Sequence, residues 1–261
     1  MISAVLALAA PPPPNASVPR SPQELAAALT RTSSSLNVAI GPWRRFGGRP
    51  PDDVVLYALY QQRIYRLLAR NDRLARLTFA RLAPGLAALS RDLVAAQREL
   101  YRLTPGIPTH TIKVGRAAPA PTLLAYYREA QRRFRVPWNV LAAVNFVESK
   151  FDKLRSASAA GAQGPMQFMP ATWRRYGLGG NVHDPHDAIL GAANYLRASG
   201  APRDLRRALH AYNPSTAYVD AVLRYARRIG SARTMFYALY NWQVFVKTPR
   251  GDRRVTGPGL P

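Results

Sequence analysis

Apolar side chains return at helical spacing through most of this chain, and that period limits its fold more than any other feature. After Asp52-Asp53, the segment VVLYALYQQRIYRLLAR places Val54, Leu56, Leu59, Tyr60, Ile64, Leu67 and Leu68 on a helical repeat. The segments 72–82 and 86–103 repeat the pattern and are parted by Pro84-Gly85, so this half reads as helix. Further along, LLAYYREAQRRF is amphipathic, and Val136-Pro137-Trp138 opens a helix with proline where its missing N–H is harmless. Asp184-Pro185-His186-Asp187 supplies an N-cap acid, a proline at N1 and a second acid at N3 ahead of AILGAANYLRAS. LRRALHAY and AYVDAVLRYARRI continue the pattern. Only WQVFVKTPRGDRRVTG departs from it, with short β-prone runs around Pro249-Arg250-Gly251-Asp252. The expected fold class is mainly α with a small C-terminal β-hairpin.

Proline and glycine punctuate this helical chain in two places. Residues 11–22, PPPPNASVPRSP, favour extended polyproline conformations and read as a linker. Residues 104–121, TPGIPTHTIKVGRAAPAP, break the helical rhythm with four prolines and two glycines. The expected organisation is a signal-like segment and linker over 1–22, an Arg-rich helical region over 23–120 and a second unit over 121–261. The opening run MISAVLALAA has the length of a signal-peptide apolar region, and Ala7-Leu8-Ala9 resembles a cleavage site, although no basic residues precede it. It is shorter than the roughly 20 residues that a spanning helix needs. Export to an extracytoplasmic location is the expectation, with no transmembrane anchor evident.

Charge and cysteine usage narrow the chemistry. Lys plus Arg number 37 against 14 Asp plus Glu, a net charge of +23, which implies a polyanionic neighbourhood: nucleic acid, an acidic membrane or an anionic cell wall. Arg63, Arg66, Arg70, Arg73, Arg76, Arg81, Arg91, Arg98 and Arg102 fall between the apolar positions, the pattern of a solvated helical face. The chain has no cysteine, which excludes disulfides, thiolate metal sites and a Cys nucleophile. His183-x-x-His186 lacks a third ligand at suitable spacing and reads as part of a capping turn, so no metal and no cofactor are expected. Nucleic acid is not expected as a partner, since no compact basic motif interleaved with aromatics stands out.

Glu148 closes the apolar run Val140, Leu141, Val144, Phe146, Val147 and is followed by a small-residue loop. A carboxyl at the end of an apolar helix loses solvation, so its pKa rises and it can serve as a general acid. Gly161 and Gly164 permit close backbone approach, Ser158 offers a hydroxyl, and Met166-Gln167 sets an adaptable apolar group beside an amide. Trp138, Trp173, Tyr176 and Tyr195 read as core aromatics, and Asp184 and Asp187 as helix caps.

Glu148-Ser149 with Phe151, then Ser158-x-x-Gly161-Ala162-x-Gly164-x-Met166-Gln167-Phe168-Met169-Pro170-x-Thr172-Trp173, closely resembles the signature of the lysozyme-like lytic transglycosylases that cut bacterial peptidoglycan. Asp184-Pro185, Gly191-Ala192-Ala193-x-Tyr195-Leu196 and Ala211-Tyr212-Asn213 follow in the order that family shows, over roughly residues 123–228. The chain departs from the pattern at Pro165, where many members carry Leu, between Phe151 and Ser158, and at Pro214-Ser215. The resemblance implies a lysozyme-like helical domain with Glu148 as the single catalytic acid and base. It implies that Ser158 orients the N-acetylmuramyl group, Gln167 hydrogen-bonds the glycan, Met166 lines the cleft, Tyr212 positions Glu148 and Asn213 shapes the site. Peptidoglycan glycan strands are then the expected partner, together with anionic wall polymers.

Two other readings stay open at this stage: a hydrolytic muramidase of similar fold, and a basic wall-binding protein without catalysis. A hydrolase ordinarily needs a second carboxylate, about 5 Å away for retention or about 6.5–9.5 Å for inversion. Asp152 is the nearest acid in sequence and is expected to point away from the cleft.

Overall fold

Ser21 begins the first helix, α1 (Pro22–Phe46), by accepting the Glu24 amide on its hydroxyl while bonding the Glu24 carboxylate at 2.6 Å. This reciprocal cap and the proline at N1 satisfy amides that a helix start otherwise leaves unpaired. The computed structural model describes residues 10–104, 112–248 and 251–260; the apolar opening, apart from Ala10, and Pro249-Arg250 lie outside these residues. Next come α2 (Asp52–Ala69), α3 (Asp72–Phe79), α4 (Pro84–Leu103), α5 (Ala120–Phe134) and α6 (Trp138–Ser149). Pro84 stands at the first turn of α4, so Pro84-Gly85 lies inside that helix instead of between two helices.

The C-terminal half continues with α7 (Pro170–Tyr176), α8 (Pro185–Ala198), α9 (Leu205–Tyr212), α10 (Thr216–Ser231) and α11 (Arg233–Tyr240). Asp184 caps α8 as its sequence forecast, accepting the amides of His186 and Asp187. Strands β1 (Phe245–Thr248) and β2 (Gly251–Arg254) pair antiparallel, Phe245 opposite Arg254 and Thr248 opposite Gly251. The fold is therefore mainly helical, with one two-stranded hairpin among the described residues. No helix described is long and apolar enough to cross a membrane.

Helix α6 sits at the centre. Val140, Leu141, Ala142, Ala143, Val144 and Phe146 are all buried, as expected for a helix apolar on every side, and α5, α8, α10 and α11 pack around it. Aromatic rings fill the space beyond: Phe146 meets Tyr225 edge-on at 4.8 Å and Phe151 meets Phe236 at 5.5 Å. The same buried cluster reaches the N-terminal helices, where Trp43 of α1 abuts Tyr237 at 4.9 Å and Tyr65 of α2 approaches Trp242 at 6.1 Å.

Several arginines act as clamps. Arg63 donates to the carbonyls of Pro14 and Ala16, laying the proline-rich segment against α2. Arg66 and Arg70 both pair with Asp252 of β2, which fastens the hairpin to α2. Arg98 donates to the carbonyl of Ala69 and pairs with Asp72. Arg73, Arg76, Arg81, Arg91 and Arg102 are exposed, in keeping with a solvated face.

Asp92 of α4 is buried and receives three arginines of α10: Arg227 at 2.7 Å, Arg228 at 2.5 Å and Arg224 at 3.4 Å. Burial acts to raise its carboxyl pKa, but the bonds from Arg227 and Arg228 outweigh it and hold the group below the ordinary Asp range. A depressed pKa contributes stability above the unfolded-state value and loses it as pH falls through the folded value. Asp92→Asn should therefore lower stability by about 1.5–3 kcal/mol at neutral pH, the range for hydrogen bonds to charged groups. In urea melts, the gap between variant and wild type should close as pH falls below the ordinary Asp range.

Candidate active site

Helix α6 ends abruptly at Ser149, the residue after Glu148. Lys150, Phe151 and Asp152 have φ of 54°, 62° and 67°, three successive non-glycine residues in the left-handed region. Each such residue costs roughly 1–2 kcal/mol, so the turn must be held from outside. Ser149 holds it: its hydroxyl accepts the Asp152 amide at 2.8 Å and donates to the Pro165 carbonyl at 2.7 Å. The Ser149 carbonyl accepts the Leu154 amide, and buried Asn145, anchored to the Tyr127 hydroxyl at 2.8 Å, bonds Ser149 through its side-chain oxygen at 3.2 Å. Helix end and following loop are thereby locked together.

The loop carries its own constraints. The Ser158 amide donates to the Ala162 carbonyl, and the Ser158 hydroxyl accepts the Ala162 amide at 3.0 Å while keeping its own proton to donate outward. Gly161 turns at φ 84° in open space, whereas Gly164, at φ 72°, lies so close to the Val182 carbonyl that a Cβ would stand 1.9 Å from it. Conformation fixes the first glycine and close approach the second.

Glu148 keeps part of its surface open, yet protein surrounds its carboxyl. Burial pushes its pKa up to about 7, against the opposing effects of a hydrogen bond from Tyr218 and the charge of Lys150. The Tyr218 hydroxyl donates to Glu148 Oε1 at 2.6 Å. Tyr218 stands one turn into α10, whose start Ser215 fixes by capping its amide. Burial, then the Glu148 carboxylate, raise the pKa values of both Tyr218 and Tyr212 well above the ordinary tyrosine range.

The sequence expectation gave Tyr212 the contact with Glu148; the hydrogen bond instead comes from Tyr218. The Tyr212 hydroxyl donates to the Met166 carbonyl at 2.6 Å, pinning the loop to the end of α9 while lying close enough to feel the acid's charge. The Met166 side chain is fully buried and packs in the core, so it does not line open space. Gln167 turns its amide nitrogen onto the Gly164 carbonyl at 3.0 Å, which leaves the amide oxygen for other partners. Asn213 ends α9, its amide bonded to the Leu209 carbonyl. Tyr218 was legible only as a core tyrosine on an amphipathic helix, because nothing local in the sequence aims it at residue 148.

Asp152 is buried and paired with Arg155 at 3.1 Å, its pKa raised by burial and drawn back by that arginine. On the far side of the turn, Lys153 donates to the carbonyls of Tyr240 and Trp242, and burial lowers its pKa to about 7. Asp184, His186 and Asp187 bring possible ligand atoms within 4.8 Å of one another. Asp184 is engaged in cap bonds and His186 contacts Glu129 at 3.0 Å, an arrangement that serves the start of α8.

Residues 125–233 match the family model described as Transglycosylase SLT domain. The chain is 31% identical over 121 residues to a membrane-bound lytic murein transglycosylase F of Thiobacillus denitrificans, covering 43% of this chain and 24% of that protein. It is 29% identical over 118 residues to a membrane-bound lytic murein transglycosylase F 1 of Alkalilimnicola ehrlichii, covering 42% of this chain and 24% of that protein. The chain thus spans about a quarter of the length of these curated relatives. No solved structure matches it.

Carboxyl-selective NMR should place the Glu148 titration near pH 7. Tyr218→Phe removes a bond that favours the charged form, so the midpoint should move higher still. The sign for stability is opposite to that of Asp92. With a folded pKa above the unfolded one, stability falls as pH rises from the ordinary Glu value to about 7, and Glu148→Gln should remove that decline.

Proposed function

We propose that the transglycosylase SLT domain which this chain carries over residues 125–233 cleaves peptidoglycan between N-acetylmuramic acid and N-acetylglucosamine, forming 1,6-anhydro-N-acetylmuramic acid. The observation that supports it most is one protonatable carboxyl, Glu148, raised to about 7 and oriented by Tyr218. Tyr218 occupies Oε1, so Oε2 is the oxygen left to carry the exchangeable proton. Glu148 protonates the glycosidic oxygen, the substrate's own N-acetyl carbonyl stabilises the oxocarbenium-like centre, and the resulting carboxylate takes the proton of the muramyl C6 hydroxyl. The glycosidic bond to the leaving sugar breaks, a bond from C6 oxygen to C1 forms, and the acid is regenerated without a water molecule being consumed.

The remaining assignments follow the same reading. Ser158 directs its free proton to the N-acetyl carbonyl, and Gln167 offers its amide oxygen to sugar hydroxyls. Met166 acts through its carbonyl, Tyr212 by fixing the loop, and Asn213 by ending α9 beside it. Asp152 is committed to Arg155 and is poorly placed to serve as a hydrolase's second carboxylate. The charge of +23 suits an enzyme at an anionic cell wall outside the cytoplasm, where wall polymers add to the attraction of the glycan's carboxylates.

Digestion of purified peptidoglycan followed by mass spectrometry tests the reading, with products one water lighter than hydrolysis would give. Glu148→Gln should lower the rate by at least about 10²–10⁴-fold, and wild-type kcat/KM should fall as pH rises through about 7. Asp152→Asn should keep most activity. Reducing-end muramic acid together with an inactive but folded Asp152→Asn would instead make the enzyme a hydrolase.

A further inference from the structure

Between α2, the hairpin and the proline-rich segment ahead of α1 lies a cleft of about 510 Å³, a size common among small-molecule sites. Arg20, Arg63, Arg66 and Arg70 line it against a single acid, Asp252. Guanidinium groups stay charged at any pH a protein meets, so these five residues leave three positive charges around one space. Arg254 of β2 stands close enough to Arg63 to feel its charge and adds to the excess. Like charges gathered in this way repel one another and favour the entry of an anion.

The walls of the cleft are held in place while its donors stay open. Arg63 gives Nη1 to the Pro14 and Ala16 carbonyls, and the Tyr60 hydroxyl donates to the Ser17 carbonyl at 3.1 Å, so the segment bearing Arg20 is tied to α2. Arg66 lies over the Phe245 ring at 4.3 Å and Arg70 over the Tyr101 ring at 4.9 Å, which fixes the two guanidinium planes beside Asp252. A guanidinium has five N–H groups, more than these bonds use. Neither Arg63 nor Arg66 has an unpaired side-chain nitrogen sealed inside protein, the Arg70 side chain is 42% exposed, and Arg20 is exposed.

We propose that this cleft binds the phosphoryl group of a phosphate ester. A phosphoryl group carries about −1.5 to −2 charge near pH 7 and presents three terminal oxygens, which suits several guanidinium forks and most of the charge excess; a carboxylate brings two oxygens and one charge. Val18, Leu67 and Phe245 supply an apolar wall for the organic part of the ester. No residue of the Glu148 site lines the cleft, and the proposal does not rest on glycan cleavage.

Calorimetric titration of the full chain with phenyl phosphate tests it, in about 0.15 M salt, where exposed charges are screened beyond about 8 Å. Phenyl phosphate should bind saturably, and benzoate, with the same ring but one charge, at least about tenfold more weakly. Arg20→Gln and Arg63→Gln should each weaken phenyl phosphate by about tenfold, whereas Arg76→Gln, on the exposed face of α3, should leave it unchanged; thermal melts check that each variant folds. Flotation with phosphatidylcholine vesicles containing phosphatidic acid separates the two sources of the group. Capture that phenyl phosphate competes away and Arg20→Gln abolishes identifies a lipid headgroup, and saturable phenyl phosphate binding without capture identifies a soluble ester. The proposal is overturned if phenyl phosphate does not bind saturably, if benzoate binds as tightly, if Arg20→Gln and Arg63→Gln both keep wild-type affinity, or if Arg76→Gln weakens binding as much as they do.

Discussion

The Ser149 hydroxyl is the contact on which the site depends. A carboxyl keeps its proton up to about pH 7 only if the backbone beside it is prevented from opening to water. The three left-handed residues after Glu148 make that stretch prone to relax into a longer helix or an open loop. By accepting from Asp152 and donating to Pro165, Ser149 makes the helix end and the loop one unit. Asn145 and Tyr127 complete a buried network in which each polar group has a partner, the condition under which such a network adds rigidity.

A second support comes from the opposite side of α6. Tyr218 reaches the acid from α10, and α10 is tied to α4 by three arginines converging on Asp92. The N-terminal helices therefore bear on the orientation of the carboxyl without contributing a side chain to it. Their arginines divide accordingly: Arg63, Arg66 and Arg98 are spent on carbonyls and acids within the molecule, while Arg73, Arg76 and Arg81 face solvent and supply the long-range positive field.

Local patterns were the legible part of this chain. The cap at Asp184, the end of α6 near Glu148 and the hairpin could be read because each is set by a few neighbouring residues. The helix α1 carried an equally local signal, Ser21 followed by Pro22 and Glu24, but its many small and polar residues give little apolar periodicity over 22–46. Contacts across the sequence were beyond reach. The partner of Glu148 is seventy residues away, and the choice between Tyr212 and Tyr218 depends on how α9 and α10 are set against α6. The resemblance located the loop residues but could not show that Met166 turns inward while its carbonyl is what Tyr212 grips.

Lys153 links this geometry to the order in which the chain is made. Among the described residues no acid pairs with its ammonium, which rests on the carbonyls of Tyr240 and Trp242, almost ninety residues downstream. During synthesis the turn after Glu148 leaves the ribosome long before those two acceptors exist, and until they arrive a cation there has water as its best partner. The neighbourhood of the acid is thus closed by a segment made almost ninety residues later, so a nascent chain that has not reached it holds the carboxyl in a wetter, more open setting than the folded chain does.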